Sequence, residues 1–474
     1  MHLSIDVLNK YTPVTEFYVD ALLKKEIKAN PNKIIVLDDD PTGVQTVHDI
    51  PVYTKWDTEN IHRGFLEESN VFFILTNSRG MTVEQTTQVH NEIAQNIEAV
   101  AKETGTRYVI ISRSDSILRG HYPLETSILR DNFEKFSGYK VDGEILCPFF
   151  KEGGRFTIDN VHYVQYCSDL VSANETEFAR DKTFGYTSET LPEYVEEKTN
   201  GEFKASDCVC ISLDDIHRMD FDKIESQLMG VEGFNKVIVN AISNKDLKVF
   251  CVALYRAMSK GKIFMFRTAA SFVKVFSGNH NIPYLSRDMM VTDYTTNGGI
   301  IVVGSHTNKT TEQVEHLKDL EGIEFIEMDA TLVKDDAAFQ AEFERCLALE
   351  EKFISEGKTV CCYTTRALIT ADTGDKEDEL RLAVKISDAV QNLVGKLKVR
   401  PAFVIAKGGI TSSDVGTKAL GVVRAYVLGQ AAPGIPVWQT GNRSKWPGIP
   451  YIIFPGNVGE AETLKQVTDI LMNE

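Results

Sequence analysis

The stretch Lys33-Ile34-Ile35-Val36-Leu37-Asp38-Asp39-Asp40-Pro41-Thr42-Gly43 decides the fold. An unbroken apolar run of strand length, rich in β-branched residues, suits a strand buried on both faces. Three consecutive carboxylates close it, and Pro-Thr-Gly turns the chain. The same layout returns in VFFILTNSRG (71–80), which leads into the amphipathic MTVEQTTQVHNEIAQNIEAVAKE, and in RYVIISRSDSILRG (107–120). It returns again in GIIVVGSHTNKTTEQVEHLKDL (299–320), TVCCYTT (359–365), AFVIAKGGITSSDVGTKALG (402–421) and YIIFPGNVGEAETLKQVTDIL (451–471). Apolar strands alternating with helices predict an α/β chain of two domains, each a mainly parallel sheet flanked by helices. Ligands of such sheets sit beyond the carboxyl ends of the strands, where these polar turns fall.

A chain of 474 residues exceeds one compact core and suits two. The stretch SGNHNIPYLSRDMMVTDYTTNGG (277–299) carries turn formers and little periodicity, and reads as the linker. The expected domains are therefore 1–280 and 298–474, with the active site in the cleft between them. Segment 151–215 shows no clear period, and SANETEFARDKTFGYTSETLPEY within it reads as an ordered surface loop near a site.

The net charge is −17, which disfavours nucleic acid and anionic membranes as partners. It does not disfavour a small anion held by local Arg and backbone N–H groups. The opening MHLSIDVLNKYTPVTEF lacks the apolar core of a signal peptide, and the longest apolar runs are too short to span a bilayer. Eight cysteines occur without a CxxC pair or the His spacing of a zinc site. A cytoplasmic protein with reduced thiols and no protein-borne metal is expected.

The strand-end turns carry the candidate chemistry. Asp38, Asp39 and Asp40 cannot all be buried and charged without partners. Alternation along the strand puts Asp38 and Asp40 on one side and Asp39 on the other. Arg79, Arg113 and Arg119 offer rigid forks of donors suited to a carboxylate or phosphate, although Arg113 could equally form a surface ion pair. Asp115, Ser116 and Gly120 lie beside them, and Asp and Ser suit sugar hydroxyls, which both donate and accept. Together they describe a site for a small polyhydroxy acid. In the last third, Ser305, the run Gly408-Gly409-Ile410-Thr411, and Gly456-Asn457 each follow a strand and precede a helix, as phosphate-binding turns do. No Walker A motif, GxGxxG fingerprint or protein-kinase motif set is present.

These pieces together resemble the four-carbon acid sugar kinase family, long known as a domain of unknown function. Asp38-Asp39-Asp40-Pro41-Thr42-Gly43 is similar to the family's DDxTG, and Asp115-Ser116-Ile117-Leu118-Arg119-Gly120 to its DSTLRG. Pro148-Phe149, Gly154-Arg155, Asn160-Val161-His162 and Phe178-Ala179-Arg180-Asp181 fit its middle stretch, and the three Gly turns resemble its GS, GGxT and PGNFG. The sequence departs from the pattern at Arg113, where many members have Lys, and at His121-Tyr122-Pro123. The resemblance implies an N-terminal substrate domain, a C-terminal ATP domain, and phosphorylation of the terminal hydroxyl of a threonate, erythronate or 3-oxo-tetronate. By it Ser305, Gly408, Gly409, Ile410, Thr411 and Gly456 line ATP.

The mechanism expected is closure of the two domains on substrate and ATP, with Mg²⁺ carried by the nucleotide. Asp39 or Asp115 accepts the hydroxyl proton, and the sequence does not choose between them. Two other readings are an oxidoreductase acting on sugar acids with a nucleotide cofactor and a non-catalytic two-lobed binding protein. The missing dinucleotide fingerprint opposes the first, and the Gly turns oppose the second. A homodimer is the default oligomer.

Overall fold

Hydrogen-bond register explains why the polar turns gather. In the computed structural model, which describes residues 2–292, 295–366, 369, 376–456 and 458–473, the Lys33–Asp38 strand lies parallel between Tyr108–Arg113 and Val71–Leu75. Asp38, Arg113 and Leu75 stand level at the carboxyl end, so the turns that follow them start side by side.

The chain divides into two compact units, Met1–Val47 with Lys55–Asn281, and His48–Thr54 with Ile282–Glu474. The break near residue 281 falls inside the 277–299 stretch. The short segment His48–Thr54 groups with the second unit rather than with the residues on either side of it.

In the first unit the described strands run in the order Val209–Ile211, Asn235–Val239, Gly143–Cys147, Phe264–Thr268, Tyr108–Arg113, Lys33–Asp38, Val71–Leu75, every pair parallel. Val71–Leu75 is buried throughout, as a strand covered by helices on both faces must be. The helix after it, Val83–Thr104, starts at a Thr82–Gln85 capping box and stops at Gly105, whose φ is 65°. Ile93, Ala94, Ile97 and Val100 form its buried stripe. Near the N-terminus, helix Glu16–Ala29 is tied to helix Asn244–Ser259 by Lys248, which lies 2.9 Å from Glu16 and 2.6 Å from Asp20.

Segment 151–215, read as without clear period, opens with regular structure. Arg155–Ile158, Val161–Tyr166 and Asp169–Ser172 form an antiparallel meander, with His2–Ser4 added at its edge. Strands of four to six residues hold too few alternations to show a period. Their first turn, Asp159-Asn160, has φ of 49° and 64°, the signature of a tight hairpin. Residues 173–180 are short 3₁₀ turns.

The second unit also carries a mainly parallel sheet. Its described order is Ile50–Tyr53, Arg424–Ala432, Ile435–Thr440, Pro450–Phe454, Val404–Lys407, Ile300–Val303, Thr359–Thr364, Ile323–Met328. The last five are mutually parallel, and the first three join antiparallel. Register sets Lys407 level with Val303 and Phe454, so the three Gly turns begin at one sheet edge. Arg424–Ala432 alternates half-buried and buried residues, as expected of a sheet with one wet face. Among the described residues no helix is long and apolar enough to cross a membrane.

Candidate functional site

In the first unit the acidic loop is fastened by its backbone before any side chain acts. Asp39 N–H donates to the Arg113 carbonyl at 3.3 Å, and Thr76 N–H donates to the Asp38 carbonyl at 2.9 Å. Arg79 sits on a 3₁₀ turn entered through Asn77, whose φ is 56°. Its guanidinium grips Asp39 with Nη2 at 2.6 Å from Oδ1 and Nε at 3.2 Å from Oδ2. Its Nη1 lies 2.6 Å from Asp40 Oδ2 and 3.8 Å from Asp115 Oδ1. Arg113 Nη1 faces all three carboxylates, 3.0 Å from Asp38, 3.6 Å from Asp39 and 3.5 Å from Asp40. Arg119 Nε pairs with Asp115 Oδ2 at 2.8 Å. The buried negative charge thus has the partners that its desolvation demands.

The carboxylates differ in proton affinity because their neighbours differ. Burial pushes Asp38 well above the usual value despite Arg113, and Asp40 and Asp39 add to the rise. Burial also raises Asp39, against the pull of Arg79. For Asp40 burial is outweighed by Arg79, Arg113 and the Thr42 hydroxyl and N–H, so it falls below the usual value. Asp115 is held far below that value: burial opposes the shift, and Arg79 and Arg119 overcome it. Asp39 therefore holds a proton more readily than Asp115, whose anion pairs with Arg119.

Exposure separates the arginines. The Arg79 and Arg119 side chains are 21% and 25% exposed, whereas Arg113 is 4% exposed. Arg113 is thus a buried counter-charge for the acidic loop, which corrects the surface ion pair considered for it. Ser116 shows its carbonyl, which accepts from His162 Nε2 at 2.7 Å. Gly120 is required on two counts. Its φ is 122°, and a Cβ there would lie 2.6 Å from Arg267 Nη2 and 2.9 Å from Ser114 Oγ. Those two groups and Asp39 Oδ2 converge on the glycine face. The Ser114 hydroxyl lies 3.0 Å from both Asp39 Oδ2 and the Arg119 carbonyl, and its one proton serves a single acceptor at a time.

Sequence reading passed over Arg267 and Glu125. Arg267 Nη1 donates to Ser112 Oγ at 2.9 Å and pairs with Glu125, which also accepts from Ser78 at 2.6 Å. Among the described residues its Nη2 has no hydrogen-bond partner. FMFRT (264–268) ends in Arg-Thr much as RYVIISRS ends in Arg-Ser, and that echo was the available signal. Glu125 lies inside a helix and gave none.

The Asp38, Asp39 and Asp40 carboxylates lie within 4.8 Å of one another, a spacing that can serve a metal ion. Two guanidinium groups already occupy them, so this donor set does not fit one.

In the second unit the three turns meet at Ser305. The Gly304 and Ser305 N–H groups both donate to the Lys407 carbonyl, at 3.2 and 3.3 Å. Thr310 Oγ1 lies 2.9 Å from Ser305 Oγ and 3.0 Å from the Gly456 carbonyl. A Cβ on Gly304 would lie 2.2 Å from Thr411 Oγ1, so only glycine lets the first turn close on the second. Gly408 N–H is not free for an anion, because it donates to the Phe454 carbonyl at 2.9 Å. Among the described residues, the N–H groups of Gly409, Ile410 and Thr411, in the first turn of the helix, lack intrahelical acceptors. Asn457 lies outside the described residues.

A cavity of about 400 Å³ adjoins these turns, lined by Gly304, His306, Val384, Ser387, Ile410 and Thr411 among others. That volume suits a small-molecule ligand. Ile410 and Val384, 72% and 51% exposed, are apolar walls of the cavity.

Two family models match the chain: a sugar-binding N-terminal domain over residues 34–276, and a nucleotide-binding C-terminal domain over residues 300–464. Among solved structures, Haemophilus influenzae protein HI1011, of the family DUF1537, is 16% identical with a TM-score of 0.61, covering 92% of this chain and all of its own. A Salmonella typhimurium LT2 protein described as a tRNA synthase is 13% identical with a TM-score of 0.63, covering 92% of this chain and 98% of its own. At these identities the likeness shows a shared fold. No curated protein matches the chain.

Proposed function

We propose that this chain, which belongs to the family that joins a sugar-binding N-terminal domain to a nucleotide-binding C-terminal domain, is an ATP-dependent kinase acting on the terminal hydroxyl of a four-carbon sugar acid. The acids meant are threonate, erythronate or a 3-oxo-tetronate, as in the four-carbon acid sugar kinases the sequence resembles. The observation that carries the reading is the pairing of functions across the two units. One unit holds a raised, buried carboxylate at Asp39 beside two partly exposed guanidinium groups, and the other holds three turns meeting at Ser305 beside a ligand-sized cavity.

Phosphoryl transfer asks little covalent chemistry of a protein; it needs in-line positioning, charge neutralisation and a place for the hydroxyl proton. Arg79 and Arg119 face the substrate carboxylate. Asp39 takes the proton of the attacking hydroxyl, and Arg79 stabilises the charge around it. Asp115 positions Arg119, while Asp38, Asp40 and Arg113 set the loop. In the second unit the N–H groups of Gly409, Ile410 and Thr411 and the hydroxyl of Ser305 receive the ATP phosphates, and Ile410 and Val384 flank the base. Mg²⁺ accompanies ATP as its counter-ion, since the acidic loop is already neutralised.

The test is ADP release by the purified protein with D-threonate, L-threonate, D-erythronate and their 3-oxo forms. Acid-dependent ADP release with at least one of them is expected. Absence of turnover across the panel overturns the reading, and tight NAD binding without ATP binding turns it toward an oxidoreductase.

A further inference from the structure

Lys407 closes the Val404–Lys407 strand, one residue before the Gly408 turn, and its side chain is completely buried. Its Nζ donates to the Pro455 carbonyl at 2.5 Å and stands 4.2 Å from the centre of the Phe454 ring. Its own carbonyl receives the Gly304 and Ser305 N–H groups at 3.2 and 3.3 Å. One residue therefore touches all three turns. Among the described residues no carboxylate pairs with it. The charge that acts on it is Lys309, on helix Asn308–Leu317, which repels it. The other ionisable groups near the turns are engaged elsewhere. Asp414 pairs with Lys418 at 3.1 Å, His306 Nε2 meets Thr364 Oγ1 at 3.2 Å, and Arg366 donates to the Ser305 carbonyl at 2.6 Å.

An ammonium carries three donors and a full charge, and a single carbonyl with one ring face compensates little of either. Burial, with Lys309 adding to it, brings Lys407 down to about 7. We propose that Lys407 is the buried counter-charge of the phosphate turns, taking up a proton as a nucleotide binds and returning it as the nucleotide leaves. The inference rests on the nucleotide reading of those turns. Phosphate oxygens bring the negative charge that this part of the interior lacks, and an opposite charge nearby favours the ammonium form. The proton comes from the buffer, and no other bond changes.

Isothermal titration of ATP into the whole protein, at about pH 8 and in buffers of different ionisation enthalpy, counts the protons exchanged. Uptake approaching one proton per ATP is expected, with affinity falling by close to tenfold per pH unit above that pH. Lys407→Met has no proton to gain and Lys407→Arg stays charged, so both are expected to bind ATP without the uptake. No uptake by the unmodified protein, or equal uptake by a folded variant, overturns the inference while leaving nucleotide binding intact. Absence of any ATP binding heat overturns the nucleotide reading and this inference together.

Discussion

Arg79 holds Asp39 at both carboxylate oxygens, 2.6 Å from Oδ1 and 3.2 Å from Oδ2, although the two stand 40 residues apart. Parallel pairing of the Lys33–Asp38 and Val71–Leu75 strands brings their turns together. A two-point grip fixes the carboxylate's plane as well as its charge. It leaves Asp39 oriented toward the glycine face of Gly120, where Asp39 Oδ2 lies 3.3 Å from the place a Cβ would take.

Asp39→Asn is expected to lower kcat by roughly 100- to 10,000-fold, the usual span for loss of a general base. Asp115→Asn is expected to act chiefly on KM for the acid, by loosening Arg119. Steady-state kinetics on the best acid of the panel separate the two. An Asp39→Asn variant with unchanged kcat removes the role given to that residue.

Arg113→Met tests the buried counter-charge. Arg113 is 4% exposed beside an Asp38 that is 3% exposed. Removing one partner of a buried pair costs about 3–5 kcal/mol, because the other is left uncompensated. Urea unfolding of the single variant is expected to show that loss. The double variant Asp38→Asn with Arg113→Met is expected to recover much of it.

Ile410→Ala tests the cavity proposed for the nucleotide without touching the core, since Ile410 is 72% exposed. Thermal stability is expected to stay unchanged. The KM for ATP is expected to rise about tenfold, from the loss of about 1–2 kcal/mol of apolar contact. An unchanged KM places the base elsewhere.

His162 gives a pH dependence of stability. It is buried, with Nε2 2.7 Å from the Ser116 carbonyl and Nδ1 2.9 Å from Thr157 Oγ1. Burial lowers it from 6.5 to about 4. Above about pH 6.5 both folded and unfolded chains carry it neutral, so its contribution is fully present there. As pH falls below that value the unfolded chain binds a proton that the folded one refuses, and stability drops until the folded pKa is reached. The loss is about 3 kcal/mol at its limit. Denaturation midpoints followed from neutral to acid pH are expected to fall less steeply in His162→Gln, and an identical slope contradicts the assignment.

The fold was legible wherever strands were unbroken apolar runs buried on both faces. Lys33–Asp38, Val71–Leu75 and Val404–Lys407 each announce themselves as apolar runs ending in polar turns. The meander at 155–172 and the hairpin 424–440 were not, because short or half-wet strands carry little apolar signal. The acidic loop and the Gly turns stood out as motifs. Arg267 and Glu125 did not, since their role comes from neighbours that are distant in the chain.

Composition and strand pattern alone determined that this is an α/β chain with acidic, Arg-bearing turns early and Gly turns late. Local sequence decides turn chemistry, because backbone preference and apolar runs are local properties. Which aspartate is basic, which arginine is buried, and that Gly408 has no N–H to offer were decided only by tertiary structure. Those depend on desolvation and on charges brought close by strand register, and neither is encoded within reach of a single turn. The DDDPTG stretch named its own carboxylates, and the fold assigned them unequal proton affinities.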